Sequence, residues 1–219
     1  DRRQDSMEPH SALPKPRQMT PLVTRPGAVL LPPRLFAPVA YYAVAARYGT
    51  VAVDAGMRFD KRMKSVHRFS IIDAPGVQML TVPVSKPGGP VRWCDVTVSD
   101  HGKWWLSMPN ALATAYSRTP FFEFYIDRII SLLSQDSVGM PVTELCARAD
   151  AVVRKILDIE FTQLPEQAGT VDLRRADFGA EPIPPYWQLR QAEKGFVSGL
   201  SVLDLIFNLG PESCLYLAE

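Results

Sequence analysis

The pattern of hydrophobic positions in the first part of the chain predicts two strands separated by a helix. Residues 28–31 have the pattern of a short buried strand, residues 35–47 that of a helix with Pro38 in its first turn, and residues 50–54 that of a second strand. This order forms a βαβ unit, in which a crossover helix joins two parallel strands. Ligands bind such sheets at the carboxyl ends of the strands, so we expect Pro32-Pro33 and Asp54-Ala55-Gly56 to lie at that edge.

The next apolar stretches predict antiparallel strands. Residues 69–84 form two β-branched and apolar runs around the turn sequence Ala74-Pro75-Gly76, which is typical of a hairpin. Residues 91–99 alternate in character and predict a half-buried strand. Because these strands are adjacent in sequence, we predict an α/β fold whose mixed sheet begins with a βαβ unit and is flanked by several helices.

Helical periodicity dominates the following part of the chain. It predicts a helix over residues 103–117 that is interrupted or kinked near Pro109, a second helix from Thr119-Pro120 to about residue 134, and a third over residues 142–158. Between residues 162 and 181 the periodicity is lost, which predicts a surface loop over the site.

The closing segment predicts one buried helix. Ser201 is a suitable N-cap, Asp204 follows at the spacing from which a side chain reaches back to the cap amide, and Gly210 can end the helix. Apolar residues cover most of its circumference, and Asp204 and Asn208 form a narrow polar ridge. Two interpretations of this ridge are open: it satisfies nearby backbone groups, or it faces a ligand.

Composition narrows the class of protein. A chain of 219 residues with 47% hydrophobic composition can form one well-buried core, so we predict a single domain over residues 28–219 after a disordered, proline-rich leader over residues 1–27. The net charge of +1 gives no electrostatic case for a nucleic-acid partner or an acidic membrane. No apolar run approaches the roughly 20 residues of a membrane span. Three widely spaced cysteines without a C-x-x-C pair favour reduced thiols and a cytoplasmic location.

Candidate chemistry is concentrated in the basic loop over residues 54–68. The common phosphate-loop, dinucleotide, nucleophile-elbow and zinc-protease motifs are absent, and the residues indicate neither a metal nor a cofactor. Lys61 and Arg68 could bind a phosphate through charge-assisted hydrogen bonds, with Phe59 stacking on a base or sugar. His67 is the better placed of two candidate acid–base histidines. The alternative is an exposed basic loop whose charges nearby acids neutralise.

Several segments, in a fixed order, carry a resemblance to a known family. They are LLPPRLFAPVAYY, VAVD with the basic loop after it, LTVPVSKPGG, VTVSDHGKW, NALATAYSRTPFFEFY, and the closing PPYWQL and GFVSGLSVLDLIFNLGPES. This series resembles the WbqC-like proteins, bacterial proteins often encoded among genes for surface-polysaccharide biosynthesis. The resemblance implies a role in O-antigen or related glycan assembly, with transfer of glycine or an acyl group to a nucleotide-linked amino sugar.

The resemblance also suggests roles for individual residues. Under this hypothesis Lys61 and Arg68 bind the diphosphate, and Asp54 or His67 removes a proton from the attacking amine, which needs a base. The residues that would contact the sugar or the rest of the substrate are Asp204, Asn208 and Glu212 from the last helix and the aromatic Tyr41 and Tyr186.

A non-catalytic binding or assembly module of a glycan pathway is the alternative function. Two departures from the family pattern favour it, the plain Leu31-Pro32-Pro33 after the first strand and Met108-Pro109 where a His-Trp pair is expected. Such a module would present an exposed apolar patch, whereas an enzyme would enclose Asp54, Lys61, Arg68 and Asn208 in one pocket. The sequence predicts no oligomeric state.

Overall fold

The computed structural model describes residues 25–218. Most of the predicted leader, residues 1–24, lies outside the described residues. Between residues 25 and 218 no helix is both long enough and apolar enough to cross a bilayer.

A four-stranded parallel sheet begins with the predicted βαβ unit. Strand β1 (Val29–Leu31), helix α1 (Val39–Tyr48) and strand β2 (Thr50–Val53) follow one another, and β1 pairs with β2 in parallel. Pro38 is the residue before α1 and so costs the helix no internal hydrogen bond. The outer strands are β7 (Thr162–Gln163) beside β2 and β8 (Val171–Asp172) beside β1. The predicted loop over residues 162–181 therefore contains two strands, which are too short to show a period.

The antiparallel strands form two small sheets of their own. Strands β3 (Arg68–Asp73) and β4 (Gly76–Thr81) make the predicted hairpin. Strands β5 (Val84–Ser85) and β6 (Thr97–Val98) form the second pair. The strand predicted over residues 91–99 is wrong for most of its length, because Trp93–Asp95 form a 3₁₀ turn. The Asp95 carboxylate accepts a hydrogen bond from the Arg92 amide at 2.8 Å, which closes that turn.

Six helices follow in the described part of the chain. They are α2 (Trp104–Tyr116), which contains Pro109, α3 (Phe122–Ile130), α4 (Val142–Leu157), α5 (Gln191–Lys194), α6 (Val202–Leu209) and α7 (Ser213–Leu217). Helix α3 begins later and ends earlier than its periodicity predicts. Helices α2, α4 and α6 lie close to their predicted bounds.

Helix α6 lies in the middle of the core. Each residue from 202 to 208 is buried, and the helix contacts α1, α3, α4, α7 and β3. The Ser201 hydroxyl caps it by accepting a hydrogen bond from the Leu203 amide at 3.2 Å. Gly210 ends it with a φ of +52°, and a Cβ at this position would lie 2.4 Å from the Phe121 ring, so glycine is required here.

Candidate functional site

A cavity opens beside the carboxyl edge of the parallel sheet. It has a volume of about 680 Å³ and lies between the segments after β1 and β8, the basic loop and the hairpin. We call it the basic cavity, because its lining contains the cations Arg34, Arg62, Lys64, Arg68 and Arg175. Ligand sites at this edge are expected for parallel sheets.

Two carboxylates line the basic cavity, and both have partners. Asp60 forms ion pairs with Arg62 at 3.0 Å and with Arg175 at 3.6 Å. The hydrogen bonds from Arg62 hold the Asp60 pKa at about 2. Asp177 accepts hydrogen bonds at Oδ1 from the amides of Gly179 and Ala180, at 3.1 and 3.3 Å. The lining therefore holds five cations against two carboxylates.

Three of these cations have no carboxylate within ion-pair distance among residues 25–218: Arg34, Lys64 and Arg68. Arg34 makes one long hydrogen bond, from Nη2 to the Ala176 carbonyl oxygen at 3.5 Å. The Nε atoms of Arg34 and Arg68 are buried and lack a hydrogen-bond partner in the described chain. Burial lowers the pKa of the Arg34 guanidinium. Buried donors normally have partners, so these arginines are suited to an anionic ligand.

The wall of the basic cavity depends on close backbone contacts. Phe36 has an unusual φ of +42°, and the Ser201 hydroxyl donates to its carbonyl oxygen at 2.8 Å. Gly199 has a φ of +74°, and a Cβ there would lie 2.4 Å from the Gly179 carbonyl oxygen. The chain before α6 is thus held directly against the segment after β8.

Lys61 lines a shallower hollow of about 460 Å³ that adjoins the basic cavity and shares Asp60, Arg62 and Arg175 with it. Phe59 also lines this hollow. The Lys86 ammonium lies 6.0 Å from the centre of the Phe59 ring. The hollow extends the cationic surface outward and adds an aromatic ring to it.

Asp54 lies at the predicted edge but in a different cavity. This cavity, of about 470 Å³, is also lined by Arg92, Glu166 and Arg174. The Asp54 carboxylate is buried and forms an ion pair with Arg174 at 2.7 Å. A hydrogen bond with Asp54 raises the pKa of Glu166. Asp54 is therefore one member of a network of carboxylates and arginines that does not line the basic cavity.

His67 points away from the basic cavity, although Lys64, Ser65 and Arg68 line it. Its Nδ1 lies 2.7 Å from the Val82 carbonyl oxygen, and its ring lies 6.2 Å from that of Trp93. A carbonyl oxygen only accepts hydrogen bonds, so Nδ1 carries the hydrogen. Burial lowers the pKa of His67, which favours the neutral ring.

The polar ridge of α6 is inside the protein. The Asp204 carboxylate accepts hydrogen bonds from the Tyr186 hydroxyl at 2.6 Å and from Gln188 Nε2 at 3.0 Å. Burial raises the Asp204 pKa. Asn208 accepts from the Leu189 amide at 3.0 Å and donates to the Asp204 carbonyl oxygen at 2.7 Å. These contacts agree with the interpretation that the ridge satisfies nearby polar groups.

Tyr41 and Glu212 also lie outside the basic cavity. Tyr41 is buried, donates a hydrogen bond to the Pro32 carbonyl oxygen at 3.1 Å and lines a smaller cavity of about 390 Å³. Glu212 is exposed beyond the end of α6.

The structure brings together only part of the predicted site. Arg68 lines the basic cavity and Lys61 its adjoining hollow, whereas the other seven predicted residues lie elsewhere. Sequence reasoning missed Arg34, Arg175 and Asp177. Arg34 directly follows Pro32-Pro33 at the predicted edge, so its position was a usable signal. Arg175 and Asp177 are in the stretch predicted to cover the site, where no motif distinguishes them.

Comparison with known proteins gives one match. No curated protein and no solved structure matches the chain. A sequence model of the WbqC-like protein family matches residues 33–177. This range contains all the charged residues of the basic cavity but ends before the closing segments over residues 183–219. Because the match covers more than half of the chain, the protein belongs to the WbqC-like protein family.

Proposed function

We propose that the protein binds a nucleotide-linked amino sugar in surface-polysaccharide biosynthesis, with the diphosphate in the basic cavity. The observation that supports this most is the pair Arg34 and Arg68, which line one cavity and have no carboxylate partner among residues 25–218. Arginine binds phosphate oxygens through two parallel hydrogen bonds. A diphosphate offers enough oxygens for both side chains.

The size and shape of the site suit an extended ligand. The basic cavity lies within the range of about 300–1,000 Å³ that is common for small-molecule sites. A nucleotide-linked sugar is longer than its diphosphate, and the adjoining hollow gives the rest of the ligand a cationic surface. In this arrangement the base stacks on Phe59, as the sequence suggests.

The reaction that we propose is transfer of glycine or another acyl group to the amine of the bound sugar. The amine nitrogen attacks the carbonyl carbon of an activated acyl donor, a C–N bond forms, and the bond to the leaving group breaks. A base must take the proton that the nitrogen loses. We assign this role to Asp177, because it lines the basic cavity and no described cation pairs with it. Asp54 and His67 remain predictions and lie outside this cavity.

A non-catalytic binding module is the second candidate. The observation that favours it is the state of the carboxylates in the basic cavity: Asp60 is ion-paired and Asp177 already accepts two amide hydrogen bonds. Such a module would bind the nucleotide-linked sugar through the same arginines and present it to another enzyme. Ligand binding would then be normal without turnover.

Isothermal titration calorimetry tests the binding step. We expect binding of a UDP-linked amino sugar, and of pyrophosphate, but not of the free amino sugar. Arg68→Met should weaken both by about 10- to 150-fold, since a hydrogen bond to a charged group contributes about 1.5–3 kcal/mol. Arg128→Met is the matched control, because Arg128 is exposed on α3 and does not line the basic cavity. Equal affinities in the Arg68 and Arg128 variants would refute the assignment.

Mass spectrometry of the amino sugar after incubation with activated acyl donors tests the transfer step. Asp177→Asn keeps an oxygen for the amides of Gly179 and Ala180 but removes the basic carboxylate. We expect it to bind the sugar nucleotide as wild type does and to lose acyl transfer. If the wild type binds the ligand and acylates nothing, the protein is the binding module.

A further inference from the structure

A smaller cavity lies next to the basic cavity and shares a wall with it. This cavity, which we call the small pocket, has a volume of about 390 Å³ and lies beyond the carboxyl ends of β1 and β2, against α1 and α4. Arg34 lines both cavities. Tyr41 lines the small pocket and Phe178 the basic cavity, and their rings pack edge to face with centroids 5.2 Å apart. One layer of side chains therefore separates the two cavities.

The small pocket has an excess of positive charge. Its ionised side chains are Arg34, Arg154 and Asp150. Arg154 Nε donates to one Asp150 oxygen at 2.8 Å, and the Tyr42 hydroxyl donates to the other at 3.0 Å. Arg154 therefore neutralises Asp150, and the charge of Arg34 is left without a counterion among the described residues that line the pocket.

The other titratable groups of the small pocket stay neutral near pH 7. Burial raises the pKa of the Tyr41 hydroxyl and of the Cys146 thiol. Burial also raises the pKa of Asp150, so any protonation of this carboxyl would add to the positive excess. The Cys146 thiol donates to the Val66 carbonyl oxygen at 3.2 Å and is unsuited to act as a nucleophile.

The remaining lining is mostly small and apolar, with two uncharged polar side chains, Thr143 and Gln163. Its apolar part includes Val53 at the end of β2, Ala55 just after that strand, and Ala147 and Ala151 on one face of α4. The alanine face of α4 offers an apolar surface that a short hydrocarbon group can contact. The pocket thus combines one cation that has no ion-pair partner among the described residues with a largely apolar surface.

We propose that the small pocket is a second subsite, which binds a short-chain carboxylate with its charged end at Arg34 and its hydrocarbon against the alanines of α4. The proposal rests on the proposed function, because it places the carboxylic acid that corresponds to an acyl group across one wall from the amino-sugar ligand. The small pocket should therefore prefer a ligand that has one negative charge and a short aliphatic chain.

Ligand-detected saturation-transfer NMR, followed by titration, tests this selectivity on the intact protein. Butyrate, butyramide and butylammonium have hydrocarbon chains of similar length and carry a negative charge, no charge and a positive charge. We expect butyrate to bind at least tenfold more tightly than the other two, because only butyrate has a carboxylate that can form an ion pair with Arg34. Equal binding of butyrate and butyramide, a preference for butylammonium, or no binding of butyrate would each overturn the proposal.

Filling the pocket provides the second test. Ala151→Phe and Ala147→Phe add a ring at exposed positions of α4, where the fold tolerates bulk, and should weaken butyrate binding at least tenfold while pyrophosphate binding changes less than twofold. Thr114→Phe, at an exposed position of α2, is the matched control and should bind butyrate as wild type does. Unchanged butyrate affinity in both alanine variants would overturn the subsite.

The two proposals fail separately. Arg34→Met should weaken both butyrate and pyrophosphate at least tenfold, because Arg34 lines both cavities. A wild-type protein that binds butyrate but not pyrophosphate would refute the diphosphate site alone. One that binds pyrophosphate but not butyrate would refute the small-pocket subsite alone.

Discussion

The ion pair between Asp73 and Arg190 is the contact whose loss we expect to cost most stability. Arg190 Nη2 lies 2.9 Å from Asp73 Oδ1, and the two side chains are only 8% and 12% exposed. The pair joins the end of β3 to the segment that leads into α6 and so helps to place Gly199 and Ser201 in the wall of the basic cavity. Arg190→Met leaves the Asp73 carboxylate buried without its counterion.

Removing one partner of a buried pair costs about 3–5 kcal/mol. In urea unfolding with a slope of about 2 kcal/mol per molar, a loss of about 4 kcal/mol lowers the midpoint by about 2 M. Asp73→Asn should cost a similar amount, and the double variant much less than the sum, because neither charge is then left buried alone. The coupling free energy of the double-mutant cycle should exceed about 2 kcal/mol.

An exposed pair provides the control. Arg148 and Glu144 form an ion pair on the surface of α4, with side chains 56% and 45% exposed, so Arg148→Met should cost no more than about 1 kcal/mol. Raising the salt concentration should reduce the effect of Arg148→Met and leave that of Arg190→Met nearly unchanged, since a buried pair is screened little. Equal losses in the two variants, or an Arg190 effect that disappears in salt, would refute the reasoning.

Three other changes test the surroundings of the basic cavity. Ser201→Ala removes the cap of α6 and the donor to a buried carbonyl, so urea unfolding should show a loss of about 1–3 kcal/mol; a loss below about 0.5 kcal/mol contradicts the cap. Gly199→Ala forces a Cβ against Gly179 and should lower both Tm and pyrophosphate affinity, unlike Gly88→Ala in open space. Burial lowers the pKa of His67, so the unfolded state binds more protons below about pH 6.5 and the free energy of unfolding should fall as the pH falls through that range. In thermal melts, His67→Gln should reduce the dependence of Tm on pH below about pH 6.5. An unchanged dependence would contradict the assignment to His67.

Elements with a long, clear period could be predicted from the sequence. Residues 202–208 are apolar around the whole circumference, apart from Asp204 and Asn208, and this helix is indeed buried. The βαβ unit and the hairpin likewise follow from apolar runs bounded by Pro and Gly. Strands β7 and β8 could not be predicted, because two residues cannot show an alternation and their place in the sheet is set by tertiary pairing with β2 and β1.

The candidate site was harder to predict, because the charge of a residue does not show which way its side chain points in the folded protein. Lys64, His67 and Arg68 are close together in sequence, yet the two cations line the basic cavity and the histidine turns towards Trp93. Asp204 and Asn208 have the spacing of a ligand-binding pair, but their partners are in the segment around residues 186–189. Only the fold shows which polar groups already have partners.

The charges that line the basic cavity destabilise the fold, and contacts of the neighbouring segment offset this effect. Five cations share the lining with only two carboxylates, and the repulsion among the cations lowers the free energy of unfolding. The charged residues of the basic cavity lie within residues 33–177, which the family model matches. Gly199 and Ser201, which complete the wall of the cavity, lie in the segment after this range. That segment continues into α6, whose burial contributes favourably to the free energy of folding. Under the proposed function, a bound anion would neutralise the excess charge and stabilise the folded state, which would offset the repulsion among the cations.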